Sequence, residues 1–205
     1  MKKIITTLMI LTLTAAVFPM QSSASVKKKD AYKAYKKWIS ASENKDYKKY
    51  KLMDINKDGV NELIATYYSP TFGTNQYAVL TYDGKKVNTK EVRSGVASAG
   101  GFRGSASIDK KKGYIIEDTM WAPNCDNYDY ITVIRNGKFV QKVSLTTDGL
   151  FTSVGTSEKA TYKYNGKKIN KSRYNQLLKK YFSKKTTDLE TIKYVSKAKI
   201  KKQLK

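Results

Sequence analysis

Three short segments punctuate this chain with the same chemistry: Tyr82-Asp83-Gly84-Lys85, Arg135-Asn136-Gly137-Lys138 and Tyr164-Asn165-Gly166-Lys167. Asp-Gly and Asn-Gly pairs tolerate positive φ, and between two β-rich runs they specify a type I′ turn that sends the chain straight back. The first two are expected to be hairpins of this kind, and the third to lead from a strand into a helix. Their starts at 82, 135 and 164 share no period, which excludes a solenoid repeat. The flanking runs read as strands over 50–55, 60–68, 76–82, 86–92, 104–108, 114–118, 128–135, 138–145 and 159–164.

Helical periodicity shows at both ends. Over 27–41, Tyr32, Tyr35 and Ile39 form one stripe, with Ala31, Ala34 and Trp38 beside it and lysines elsewhere. Over 171–182, behind Asn170 as N-cap, Tyr174, Leu177, Leu178, Tyr181 and Phe182 repeat at i, i+3, i+4, i+7 and i+8. Lys179, Lys180, Lys184 and Lys185 suit the negative end of that helix. A short strand over 191–195 and a short helix capped by Ser196 close the chain. The expected fold class is α+β: an antiparallel β-meander of about 7–9 strands, flanked by an N-terminal helix and one or two C-terminal helices.

Composition decides what chemistry is open. The chain has no His and one Cys, so imidazole bases, Ser-His-Asp and Cys-His nucleophiles, His-containing zinc sites and an intrachain disulfide framework are all excluded. Carboxylate chemistry, hard-metal binding and surface recognition remain. Forty Lys+Arg against 17 Asp+Glu give +23, and only Arg93, Arg103, Arg135 and Arg173 are arginine. Lysine is a hydrated point charge, so such a surface attracts polyanions diffusely rather than reading phosphates stereospecifically.

Met1-Lys2-Lys3 is a positive n-region, 4–17 is an apolar run, and Gln21-Ser22-Ser23-Ala24 offers small residues to a signal peptidase. The expected organisation is a signal peptide over 1–24 and a single secreted domain over 25–205, with no membrane span after cleavage because the apolar run falls short of the roughly 20 residues a bilayer needs. Cleavage after Ala24 removes two lysines and no acid, leaving +21. The expected location is secreted, or retained non-covalently at the cell surface. The expected partners are anionic cell-envelope polymers or a protein partner. No nucleic-acid motif accompanies the charge.

One motif carries metal chemistry. Residues 54–64 read D-x-N-x-D-G-x-x-E-L-I. Asp54, Asn56 and Asp58 place side-chain oxygens at alternate positions, Gly59 permits the sharp turn, Val60 offers a carbonyl, and Glu62 supplies a further acid. Position 12, where an EF-hand requires a bidentate Glu, is Ala65, and both flanks look like strands. A Ca²⁺ loop within a β-hairpin fits this pattern; Mg²⁺ fits less well because it demands near-ideal octahedral geometry. The alternative is a turn whose side chains cap their own backbone without metal.

The loop resembles those of dockerins and integrin-type β-propeller repeats, where such oxygens bind calcium. By that resemblance Asp54, Asn56, Asp58 and Glu62 are ligands, with Asn in place of a third-position Asp lowering the ligand charge. The loop, the export signal, Gly100-Gly101-Phe102-Arg103-Gly104 and the stretch from Tyr162 to Asn175 together are similar to small secreted proteins of clostridia and related Firmicutes. That resemblance implies a location and a fold, not a reaction.

A second candidate is an acidic, aromatic island. Between Lys112 and Arg135 no basic residue occurs, while Glu117, Asp118, Asp126 and Asp129 accompany Trp121, Tyr128 and Tyr130. Two of these carboxyls across a cleft could serve a carbohydrate-active or other hydrolase; solvated acids balancing nearby lysines are the plainer reading. Cys125 lies in the island without a His partner, which disfavours a catalytic thiol. The leading expectation is a non-catalytic, calcium-stabilised secreted module. A hydrolase built on the island is the alternative, and an exported inhibitor or toxin-like binder, marked by an exposed apolar patch, is the third.

Overall fold

The structure is a computed structural model describing residues 21–98, 100–121, 126–149, 151–152, 155–156, 160–182 and 186–205. Most of the expected signal peptide, Cys125, Lys184 and Lys185 lie outside these residues. Helix α1, Gln21–Ser40, runs through the expected cleavage point. Strands follow: β1 Lys49–Met53, β2 Glu62–Ser69, β3 Thr74–Tyr82, β4 Val87–Val96, β5 Phe102–Asp109, β6 Tyr114–Trp121, β7 Asp126–Arg135 and β8 Lys138–Asp148. A small separate ribbon joins β9, Phe151–Thr152, to β10, Gly155–Thr156. Then come β11 Thr161–Tyr164, β12 Lys167–Ile169, α2 Lys171–Tyr181, β13 Thr187–Asp188, β14 Val195–Ser196 and α3 Lys197–Gln203.

Among the described residues the architecture is α+β, with three helices on an antiparallel sheet of 12 strands, more than the expected 7–9. The excess comes from short pairings that carry little hydrophobic pattern: β12, β13 and β14 have two or three residues each. Two turn expectations also change. Asn165 and Gly166 have φ of 48° and 78°, and Tyr164 pairs with Lys167, so the third turn closes a hairpin before the helix begins. Asp83 has no positive φ, and Tyr82 pairs with Val87 across a four-residue connection, so the first hairpin is not a type I′ turn. There the Asp83 carboxylate accepts the backbone N–H of Lys85 and Lys86, each at 2.9 Å. The Asn136-Gly137 turn is as expected, with φ of 50° and 67°. The expected 191–195 strand resolves into a 3₁₀ turn at Leu189–Thr191 and the two-residue β14.

The meander does not lie flat. β4 and β5 share only the pairs Gly95–Gly104 and Val96–Arg103, and farther along β5 its open edge is taken by β13. The first half of the sheet, β1 to β4, therefore turns over the second half, β5 to β8. Ile64, Val79 and Val92 from one half meet Ala106, Ile108, Ile115 and Ile134 from the other in a buried cluster. On the outer face of the first half, Tyr35 and Ile39 of α1 and Ile200 of α3 pack on Tyr50, Leu63, Ala65 and Leu80. On the outer face of the second half, Tyr174 and Leu177 of α2 pack on Ile116, Ile131, Val143 and Leu145. β2 and β3 are accordingly buried on both faces, which is why their apolar runs are nearly continuous. The folding-over also brings turns together: Asn88 donates to the Gly137 carbonyl at 2.8 Å, joining the β3–β4 and β7–β8 hairpins.

Candidate functional site

The 54–62 loop sits at this meeting of turns. β1 ends at Met53, which pairs with Glu62 at the start of β2, so Asp54 to Asn61 must close the hairpin. Lys57 and Gly59 do so with φ of 63° and 85°. The loop is tied at both sides: Asn61 Nδ2 donates to Tyr32 Oη on α1 at 2.7 Å, and Lys57 Nζ donates to the Lys111 carbonyl in the β5–β6 turn at 3.1 Å.

Inside the loop, backbone N–H groups turn toward the predicted oxygens. Asp58 N–H donates to Asn56 Oδ1 at 3.1 Å, Gly59 N–H to Asp54 Oδ2 at 3.1 Å, and Val60 N–H to Asp58 Oδ1 at 2.8 Å. Asn56 Nδ2 donates to Asp58 Oδ2 at 3.0 Å. These bonds are those of a turn whose Asp54, Asn56 and Asp58 side chains cap its own backbone. Glu62 behaves differently. Its side chain points between the two halves of the sheet, is 1% exposed, and accepts Ile55 N–H at 2.8 Å and Thr81 Oγ1–H at 3.4 Å. Burial pushes its carboxyl up to about 8, opposed by the Ile55 N–H and reinforced by Asp58 and Asp54. Among the described residues no three Asp, Glu, His or Cys side chains gather into a metal-holding group.

One atom of the loop has no partner. Asp54 Oδ1 is buried without a hydrogen bond. The other such side-chain oxygen among the described residues, Glu117 Oε1, has the Lys90 ammonium 2.6 Å away, a charge contact rather than an aligned hydrogen bond. Asp54 Oδ1 lacks even that, and a buried unsatisfied carboxylate oxygen is costly. Asp54 Oδ1 is thus the one oxygen of Asp54, Asn56 and Asp58 that is buried without a donor, while Asn56 Oδ1, Asp54 Oδ2 and Asp58 Oδ1 each accept a backbone N–H.

The acidic island divides. Asp118 and Asp129 stand directly opposite each other on β6 and β7, close enough for the charge of one to act on the other. Tyr174 Oη–H on α2 donates to Asp129 Oδ2 at 3.1 Å. Asp129 is 5% exposed, and burial, followed by the charge of Asp118, pushes its carboxyl up to about 7. The pair floors a cleft of about 400 Å³ walled by Asn127, Thr147, Tyr162 and Asn175. Glu117 and Asp126 do not join it. Glu117 pairs with Lys90, and Asp126 accepts Gly149 N–H at 2.8 Å. Trp121 stands elsewhere, 45% exposed and edge-on to Phe102 at 5.2 Å. Sequence reasoning placed Tyr174 in the core only; its bond to a carboxyl 45 residues away has no linear signal.

Compared with family profiles, curated proteins and solved structures, the chain matches none.

Proposed function

We propose that this chain is a secreted, non-catalytic module whose β1–β2 loop takes up Ca²⁺ and whose lysine-rich surface attaches it to anionic envelope polymers or a protein partner. The observation that carries the metal reading is Asp54 Oδ1, buried and without a donor beside Asn56 and Asp58. A turn that merely caps its own backbone gives no reason for that oxygen to be buried bare. Asp54, Asn56 and Asp58 would hold the ion by their side chains and Val60 by its carbonyl. Glu62 would act from behind, or as a ligand once released from Ile55 N–H. The bound ion would supply positive charge to a loop of net −2 and lock the hairpin.

Attachment is supported by the placement of lysine. Lys27, Lys28, Lys29, Lys33 and Lys37 of α1 and Lys199, Lys202 and Lys205 at α3 are exposed on helices that pack on the same side of the sheet. The test is thermal unfolding of residues 25–205 with and without calcium. With a Kd of roughly 10⁻⁴ to 10⁻³ M, 10 mM Ca²⁺ adds about 1.4–2.7 kcal/mol, or roughly 3–10 °C. Asp58→Ala should remove the shift. An unchanged wild-type melting curve overturns the metal reading, and retention on washed cells that ignores salt overturns the electrostatic one.

A second reading, hydrolysis, is favoured by one observation: the Asp118–Asp129 pair in its cleft. The two carboxyls are set on directly opposed positions of neighbouring strands rather than across a cleft, so this reading calls for a proton-sharing pair rather than separate acid and nucleophile. Hydrolytic activity of the wild type that Asp118→Asn removes would support it; activity unaffected by that variant would end it.

A further inference from the structure

A large cleft lies away from both candidate sites, where the space between the two halves of the sheet opens at the edge. On the inner face of the first half, Lys49, Thr66 and Tyr77 lie in one row across β1, β2 and β3, and Tyr68 and Asn75 form the next row. Farther along, Ile64 and Val79 on the same face are covered by the second half, and here the segment carrying Glu190 and Tyr194 forms the opposite wall. The result is an open cleft of about 750 Å³, within the range of small-molecule and oligomer sites.

Its walls are aromatic and its polar groups are fixed. Tyr194 lies 6.4 Å from Tyr77, ring to ring, and is anchored by its hydroxyl on the Leu189 carbonyl at 2.9 Å. Glu190 Oε1 accepts from Ser94 Oγ at 2.6 Å and Asn75 Nδ2 at 3.3 Å, so its carboxylate is held in place. Tyr68, by contrast, presents its ring to solvent at 59% exposure, the highest of the large hydrophobic side chains among the described residues.

Charge selects the ligand. In a chain of net +23, this cleft carries two lysines, Lys48 and Lys49, against two acids, Asp46 and Glu190. It is locally neutral and does not recruit a polyanion as the rest of the surface does. An uncharged ligand with flat C–H faces and many hydroxyls meets both features, faces against tyrosine rings and hydroxyls against the amide, ammonium and carboxylate groups. We propose that this cleft binds a neutral oligosaccharide, with Tyr68 as its stacking platform and Asn75, Glu190 and Lys49 as hydroxyl partners. This site is independent of the calcium loop and of the lysine surface.

The test uses residues 25–205 and a panel of neutral hexasaccharides of glucose, xylose and N-acetylglucosamine, with binding followed by calorimetry at 0.5 M NaCl so that the lysine surface is screened. At least one sugar should bind. Tyr68→Ala, at an exposed position that leaves folding intact by its melting curve, should weaken that affinity about tenfold or more. Trp121→Ala, an exposed aromatic outside the cleft, should leave it unchanged. Absence of binding to every hexasaccharide, equal binding by Tyr68→Ala, or equal loss in Trp121→Ala each overturns the proposal. Because calcium uptake and salt-dependent retention are read separately, those readings stand or fall without it.

Discussion

Replacing Asp129 by Asn should change how the stability of this protein depends on pH. Asp129 is 5% exposed beneath α2, faces Asp118 across the β6–β7 ladder, and receives a hydrogen bond from Tyr174. Thr147 on β8 and Lys171 on α2 complete the polar surroundings of the cleft. Burial first, and the neighbouring carboxylate second, lift Asp129 from its ordinary 3.8 to about 7. Between those values the native chain holds a proton that the unfolded chain has released. Stability contributed by this group is therefore present at acid pH, declines as pH rises from about 4 to 7, and levels off above that. At about 1.4 kcal/mol per pH unit the ceiling is roughly 4 kcal/mol. Asn keeps an acceptor for Tyr174 and carries no charge. Urea unfolding of wild type and Asp129→Asn at pH 4, 6 and 8 should show near-equal stability at pH 4 and the variant ahead by up to roughly 4 kcal/mol at pH 8. A wild-type-to-variant difference that stays constant from pH 4 to 8 would mean that native Asp129 holds no extra proton in this range. Using the difference between the two chains cancels the background from the many lysines.

Gly137→Ala should destabilise by more than about 2 kcal/mol by chemical denaturation, because its φ is +67° and a Cβ would lie 2.2 Å from the Tyr82 carbonyl oxygen. Gly84→Ala, with φ of +93° but open space around it, should lose only about 1 kcal/mol, so a larger loss there than at Gly137 would contradict the packing of the two hairpins. Asn170→Ala removes the acceptor for Arg173 N–H at 2.8 Å and should lower stability by about 1 kcal/mol, with the loss of helical signal confined to α2. Ile108→Ala, at a fully buried position between the two halves of the sheet, should lose about 2–5 kcal/mol; a loss under 1 kcal/mol would mean that the halves do not pack there.

Much of the secondary structure was legible in sequence because its signals are local. The stripe of Tyr32, Tyr35 and Ile39 did become the buried face of α1, and Asn170 caps α2 as its side-chain chemistry predicts. The Asn136-Gly137 turn closes as the positive-φ preference requires. Asn165-Gly166 carries the same signal, yet the following Lys167–Ile169 is too short and too polar to announce itself as a strand, so the hairpin there was hidden. The strands β13 and β14 were hidden for the same reason: they exist because an edge of β5 and an edge of β1 were left unpaired.

The candidate sites divide along the same line. The alternating oxygens of Asp54, Asn56 and Asp58 are a local pattern, and the chain does fold them into one loop. The retreat of Glu62 into the space between the half-sheets depends on Thr81 and on which face of β2 is covered, neither of which spacing can express. The island drew attention to four carboxylates, but only Asp118 and Asp129 meet, because antiparallel pairing sets them opposite each other while Glu117 faces the other way toward Lys90.

By itself the sequence determined the α+β class, the principal strands and helices, the excess of positive charge and the oxygen spacing of the β1–β2 loop, since all of these rest on residues near one another in the chain. Tertiary structure alone decided that the sheet turns over at the two-residue join of β4 and β5. It also decided that Asp54 Oδ1 is buried bare, that Tyr174 reaches Asp129, and that a neutral tyrosine cleft opens between β1–β3 and the Glu190–Tyr194 segment. The physical reason is that burial and unpaired polar atoms are properties of what lies opposite a residue, and opposite neighbours are set by strand register and sheet folding rather than by sequence distance.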